Sequence, residues 1–500
     1  MLLTSFLDTA DRCAGKTAVL DETRQLTYNQ LVSRAAALAR MVTSASRGAN
    51  VGILLPSSTD AVAAFYAVLW AGRVVVPLNV LLNPSEIKTI IQDAGVDLIL
   101  SCSALEKVVN ALPAQAVFLD RLPQEPPPSP SGPPRFPAVP ESKPDDLAVI
   151  LYTSGTTAMP RGVCLSHNNL HSNASATVRH VLLRDDDRFL GVLPLSHSFG
   201  LLATLILPTL FGATVEYQTR FQPVEVLRAL AGGGISVFMA AASMFAALAR
   251  VKNVSSEMLR GLRIAVSGGE ALPDAVFKDC RTRLDFTILQ GYGLTETSPV
   301  VSVNQPWAHR PGTIGLPIPD VEVSIRDEQG RALPSGEQGE ICVRGPNVMQ
   351  GYLNRPQETA AVLMPDGWLR TGDLGRQDAD GYTMITGRKK ELIIVAGENV
   401  FPREIENVLD DHPAVSQSAV IGVPDPRRGE VVVGFVVPKD GAQVSAIELR
   451  EYCRRHLASF KVPRQIIIHR DLPRGPTGKI AKRLLPTVTG VADMLMSSKP

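Results

Sequence analysis

An excess of charge of either sign is the first thing this chain lacks. Lys and Arg total 50 against 49 Asp and Glu, a formal net charge of +1. Without a basic field over the molecule, nucleic acid is not expected as its main partner. Paired cysteines are missing too. The six present, Cys13, Cys102, Cys164, Cys280, Cys342 and Cys453, lie far apart, and none forms a C-x-x-C pair. Their spacing argues against a metal cluster and a disulfide framework. It suits a reducing compartment, so a cytoplasmic location is expected. The most apolar stretch, Leu201 to Val215, is too short to span a bilayer and contains Pro208, so it reads as a buried core helix. No transmembrane segment is expected, and peripheral contact with a membrane stays open. The opening MLLTSFLDTADR has neither a basic n-region nor a full apolar h-region, so no signal peptide is expected. The closing SSKP is not a peroxisomal address.

What is present is enough apolar material for a large core. The chain has 500 residues, 45% of them hydrophobic, which points to more than one domain. Apolar runs such as VGILLP, RVVVPLNV, LAVILYT, RIAVSGG and FTILQGYG alternate with helical patterns such as DAVAAFYAVLWAG. Continuous apolar strands between helices predict parallel sheets covered on both faces, with ligands held by loops at the strands' carboxyl ends. The proline-rich Pro123 to Pro144 reads as a stiff surface connection, because strands of the same style continue on either side. From about Glu337 the runs become short and turn-bounded, as in antiparallel sheet. A helix opening at Pro402 carries Ile405, Val408 and Leu409 at helical spacing. With the strands VVVGFVVP and QIIIHRDLP and an amphipathic helix over Ile447 to Leu457, it forms a compact α+β module of about the last 110 residues.

Several loops carry candidate chemistry, and each has a plainer alternative. Thr153-Ser154-Gly155-Thr156-Thr157 sets hydroxyls around a glycine, and successive backbone N–H groups there can cradle an anion. It does not fit G-x-x-x-x-G-K-[ST], and an ordinary polar loop has a similar composition. SGGEALP (Ser267 to Pro273) lets a flat ligand lie on backbone, or is a plain strand-to-helix turn. In QGYGLTETSP (Gln290 to Pro299), Tyr292 offers a face to a base and Thr295 a hydroxyl to phosphate. Glu296 there offers a carboxylate to magnesium, or is a solvated glutamate. RTGDLG places Asp373 in a tight turn, suited to two ribose hydroxyls or to nothing beyond the turn. The basic start of GRKKELIIVAGENVFPREIE is a solvated face or a hinge. Lys479 follows a proline- and glycine-rich loop in PRGPTGKIAKRLL, and His197 sits among apolar residues in LPLSHSFG.

In this order, YTSGTTAMPRG, LSHSFG, SGGEAL, GYGLTETSP, GEICVRGP, WLRTGDLG, GRKKELIIVAGENVFPREIE and PTGKIAKR resemble the adenylate-forming superfamily over nearly the whole chain. That superfamily comprises acyl-CoA synthetases, adenylation domains of peptide synthetases and luciferases. This sequence looks like a fatty acyl-CoA synthetase. The resemblance implies an α/β fold. A large N-terminal domain, residues 1–389, would hold two α/β subdomains and a β-rich subdomain. A small mobile α+β C-terminal domain, residues 390–500, would turn about a hinge at Lys390. ATP and CoA are implied as co-substrates, with Mg2+ on Glu296. Thr153, Ser154, Gly155, Thr156 and Thr157 would hold the departing phosphates. Gly268, Gly269, Glu270 and Tyr292 would flank adenine and the acyl site. Thr295 would contact phosphate, and Asp373 and Arg388 the ribose. Lys479 would serve the first step, Gly397 would line the CoA tunnel in the second, and His197 would line the acyl and CoA approach. Two positions depart from the family pattern: Ala158 replaces a usual glycine and Arg161 a usual lysine. Neither falls on a catalytic position, so activity is expected.

Amino-acid-activating relatives carry an acidic residue soon after the histidine motif. Phe189 to Val215 holds no Asp or Glu, which argues against an amino acid. FMAAASMF (Phe238 to Phe245) is expected beside the acyl pocket, and the acid is expected to be a medium- or long-chain fatty acid. Lys461, Arg464, Arg470, Arg474, Lys479, Lys482 and Arg483, opposed only by Asp471, either meet the phosphates of CoA or form a solvated face. A carrier-protein phosphopantetheine as acceptor, and a non-catalytic nucleotide-binding homologue, remain alternatives.

Overall fold

Alternating apolar strands and helices build two large sheets that share one core. The computed structural model describes residues 1–123, 136–153, 160–252, 254, 256–396, 398–425, 428–474 and 480–485. In the first sheet, Leu147–Thr153, Val74–Pro77, Asn50–Ile53, Val96–Ser101 and Gln115–Phe118 run parallel. Arg161–Ser166 and Gly351–Tyr352 extend it antiparallel. The second sheet has a parallel centre from Ile288–Gly293 through Ile264–Ser267, Val237–Ala240, Arg188–Gly191 and Thr214–Tyr217 to Thr17–Leu20. Helix Thr59–Trp70 is buried along its whole length, so its sequence shows no polar stripe. Ser58 caps it by accepting the Ala61 N–H.

A third, antiparallel sheet comprises Glu322–Arg326, Gly339–Arg344, Leu369–Gln377 and Thr383–Arg388. A fourth is built from Ile393–Val395, Glu398–Val400, Val415–Asp425, Gly429–Pro438 and Gln465–Ile468. Helices Pro402–Asp410 and Ala446–His456 cover it, and Ile405, Leu409, Val432 and Leu449 share its own core. The architecture is the expected α/β one, with a β-rich part and a small α+β C-terminal part. Residues 136–144 cross the surface without regular structure; the Trp70 Nε1–H reaches back to the Pro137 carbonyl at 3.2 Å.

Four local expectations need correction. Leu147–Thr153, expected in a parallel sheet, is parallel to Val74–Pro77 on one side but pairs antiparallel with Arg161–Ser166 on the other. Gln290 to Gly293 belong to a strand, held there by pairing with Val300–Val303. Asp373 is not in a turn. It sits within the nine-residue strand Leu369–Gln377, where Thr371, Gly372 and Asp373 bulge against Ile341. Gly372 takes φ +73° to make that bulge. The Leu201 to Val215 stretch is not one helix but Ser198–Leu201, a π-turn at Leu202–Ile206, Leu207–Phe211 and then strand. Pro208 has no N–H to give the Thr204 carbonyl one turn back, and the Tyr217 hydroxyl donates there instead.

Candidate active site

A cavity of about 880 Å³ opens where the first three sheets meet and reaches the Arg388 to Lys390 turn. At its polar end, strand pairing sets Asp373 directly opposite Arg388. Asp373 is only 3% exposed. Its Oδ1 lies 2.8 Å from Arg388 Nε, and its Oδ2 accepts the Tyr292 hydroxyl at 2.7 Å. Burial and the Asp373 carboxylate push the Tyr292 hydroxyl well above the ordinary phenol range, so it stays a donor. Asp373 raises the Arg388 guanidinium further still, against the effect of burial. Burial and Arg388 lower Lys390 below an ordinary ammonium.

Thr295 and Glu296 form a short turn between the paired strands Ile288–Gly293 and Val300–Val303. Thr295 Oγ1 lies 3.2 Å from Ser198 Oγ, and Glu296 Oε1 accepts the Tyr352 hydroxyl at 2.8 Å. Arg161 sits over the Tyr352 ring, 5.4 Å from its centroid, and pairs with Glu358 at 2.6 Å. Thus Arg161 is drawn towards Tyr352 and Glu358 at the exit of the hydroxyl-rich loop. His197 precedes the helical turn Ser198–Leu201, and its Nδ1 accepts the Phe199 N–H at 3.3 Å. A Cβ at Gly268 would stand 3.1 Å from the Phe199 ring, so glycine keeps that wall open.

The other end of the cavity is apolar. Val181, Leu202, Ala203, Leu207, Met239, Val266 and Val303 line it, with Thr177 the one hydroxyl among them. Of FMAAASMF, Met239 alone lines the cavity. Strand alternation points Val237 and Met239 to the shared core and Phe238 to the opposite face, where it meets Phe245 edge-on at 5.4 Å.

Of the sequence candidates, the cavity gathers Thr153, His197, Gly268, Gly269, Tyr292, Thr295, Glu296, Asp373, Arg388 and Lys390. Glu270 is not among its lining residues: its carboxylate accepts the Ser243 N–H at 2.6 Å, beside helix Ala242–Ala249. Ser154, Gly155, Thr156, Thr157, Ala158, Gly397 and Lys479 lie outside the described residues. Three of the C-terminal cations offered for CoA are in ion pairs: Lys461 with Glu404, Arg464 with Asp425, and Lys482 with Glu391 and Glu406. Sequence reasoning gave no role to Tyr352, Ser198 or Glu340. Glu340 is buried and accepts the Gly372 N–H and an Arg370 N–H, each at 3.0 Å, which braces the bulge under Asp373. A glutamate opening an otherwise apolar strand, GEICVRG, was the available signal.

A polar end and an apolar end thus share one cavity, as an AMP-forming acid–CoA ligase needs for its nucleotide and its acid. Residues 6–353 match the model of the AMP-binding enzyme, and residues 404–479 that of the AMP-binding enzyme C-terminal domain; the chain belongs to this family, within the adenylate-forming superfamily. A long-chain-fatty-acid–CoA ligase of Bacillus subtilis (strain 168) is 33% identical over 526 residues, covering 96% of this chain and 92% of the relative. A feruloyl-CoA synthase of Amycolatopsis sp is 36% identical over 477 residues, covering 93% and 94%. The solved structure of an O-succinylbenzoate coenzyme A synthetase from Bacillus subtilis, in complex with ATP and a magnesium ion, matches with a TM-score of 0.84 at 30% identity, covering 96% and 98%. ATP and CoA are the co-substrates of this class and Mg2+ its ion. The Glu296 carboxylate is a hard oxygen donor of the kind such an ion takes. Among the described residues, no helix is long and apolar enough to cross a membrane.

Proposed function

We propose that the protein activates a medium- or long-chain fatty acid with ATP, through an acyl-AMP, to an acyl-CoA thioester, releasing AMP and pyrophosphate. The observation that carries this reading is the apolar end of the cavity, where Val181, Leu202, Ala203, Leu207, Met239, Val266 and Val303 stand without a charged side chain among the described residues. A dicarboxylate, a sulfonate or an amino acid would leave its second charge there without a partner.

A carboxylate is a poor acyl donor because its leaving group would be oxide. Its attack on the α-phosphate of ATP expels pyrophosphate and leaves AMP as a good leaving group for a thiol. Positioning and charge neutralisation dominate such a displacement. Asp373 and Arg388 hold the ribose, Tyr292 lies along the base, and Thr295 donates to phosphate. Glu296 holds magnesium, which supplies charge neutralisation when bound. Thr153 to Thr157 cradle the departing phosphates, and Lys479 contacts the junction of carboxylate and phosphate. Residues 390–500 then turn against residues 1–389 about Lys390. That motion withdraws Lys479 and brings Gly397 to the thiol's path beside His197.

A panel of acids with ATP, read as pyrophosphate release and then as thioester formation with CoA, tests the reading. Turnover should be highest between octanoate and palmitate. Faster turnover of aromatic acids would overturn the choice of substrate.

A further inference from the structure

Lys482 belongs to a short stretch, Ile480 to Leu485, that follows directly on Lys479. Arg474 and Ile480 pair across the intervening residues, and the Ala481 N–H donates to the Pro473 carbonyl at 2.7 Å. Leu485 is buried in a cluster with Val433, Phe435 and Leu472, and Ile480 packs against the same cluster. The stretch is thus anchored at both ends by apolar contacts. Between those anchors the Lys482 side chain turns inwards. Its Nζ lies 2.9 Å from Glu391 Oε2 and 2.8 Å from Glu406 Oε1.

The two carboxylates come from different places. Glu391 immediately follows Lys390 in the turn Lys389–Glu391. Glu406 lies on helix Pro402–Asp410, is 6% exposed, and accepts the Val420 N–H at 2.9 Å, so its position is fixed by the fourth sheet. A buried carboxylate on the inward face of a helix is unusual unless it is paired, and Lys482 is the pairing cation. Burial opposes ionisation of both Glu391 and Lys482. Their mutual attraction, with Glu406 adding to it, outweighs that, so Glu391 is held below the usual carboxylate range and Lys482 above the usual ammonium range. Glu391 and Lys482 therefore stay charged near neutral pH, and one cation ties three elements together.

We infer that Lys482 is a positioning residue for the adenylation half-reaction: by bridging Glu391 and Glu406, it fixes the segment after Lys479 to the residue after the hinge. The inference rests on the proposed role of Lys479 in the first half-reaction. The residues that directly follow Lys479 are thereby tied to the fourth sheet through Glu406 and to the hinge end through Glu391.

The test uses the full chain and two assays: pyrophosphate release from acid and ATP, and thioester formation from CoA and supplied acyl-adenylate. Lys482→Met should lower the first roughly 10- to 100-fold, the loss expected from a misplaced catalytic group, and leave the second near wild type. Lys482→Arg, which keeps the charge, should restore most of the first. Glu391→Gln releases only the hinge end, keeps the Lys482–Glu406 pair, and guards against a Lys482→Met variant that fails to fold. It should show the same one-sided loss. In a Lys479→Ala background, Lys482→Met should add nothing. Equal loss of both half-reactions, an additive loss in that background, or normal pyrophosphate release by Glu391→Gln would overturn the inference. Full pyrophosphate release by Lys479→Ala alone would refute the role of Lys479 and the bridge with it. Loss in Lys479→Ala with normal release in the other variants would refute only the bridge.

Discussion

The two ends of the cavity are built by opposite means. At the polar end, functional side chains are held by further polar groups. Asp373 takes both Arg388 and Tyr292, Glu296 takes Tyr352, Thr295 meets Ser198, and Glu340 braces the bulge beneath Asp373. Such a network leaves little freedom, because a buried polar group that loses its partner is costly. The apolar end is made of apolar side chains from the π-turn, the end of helix His167–Val181, the start of helix Leu207–Phe211 and three strands, with van der Waals packing as its main constraint. Side-chain volume can change there without leaving a charge unpaired. The difference teaches where one reaction can be kept while the acid varies. Relatives that match over nearly their whole length are a long-chain-fatty-acid–CoA ligase and a feruloyl-CoA synthase.

Mutations at each end should therefore fail in different ways. The largest effect is expected from Asp373→Ala, which removes the shared acceptor and leaves Arg388 and Tyr292 to reorient. Pyrophosphate release should fall by about 10²- to 10³-fold for every acid, the scale seen on deleting one preorganised polar group. A loss confined to some acids would break the division between the two ends. Ala203→Phe should act in the opposite sense. It fills the apolar end, so long acids should lose about 10-fold or more relative to octanoate, while the KM for ATP stays unchanged. A uniform loss would show that the π-turn does not bound the acyl site. The smallest effect is expected from Tyr352→Phe, which removes one hydrogen bond to Glu296. Adenylation should slow several-fold, about 1 kcal/mol, and the concentration of magnesium needed for half-maximal rate should rise. An unchanged magnesium dependence would remove Tyr352 from the polar network.

Much of the polar end was legible in the chain itself. Tyr292, Thr295, Glu296 and Asp373 stand in short motifs whose residue types already match nucleotide and metal chemistry. Their supports were not legible. Tyr352 lies 56 residues from Glu296 in sequence, and Glu340 lies 32 from Gly372. No local pattern relates residues so far apart. The lining of the apolar end was not legible for a related reason. FMAAASMF is apolar throughout, so composition alone could not say which side chains face the cavity; strand alternation chose Met239 and turned Phe238 away.

By itself the sequence determined the order of strands and helices, the style of each sheet and the motifs of the adenylating class, because periodicity, turn residues and residue chemistry are local properties. Tertiary structure decided the rest. It placed Asp373 in a bulge opposite Ile341, took Glu270 out of the cavity, broke the Leu201 to Val215 helix with a π-turn, and set Lys482 between two distant carboxylates. Each of these depends on which groups meet across the fold, where pairing and burial outweigh local preference.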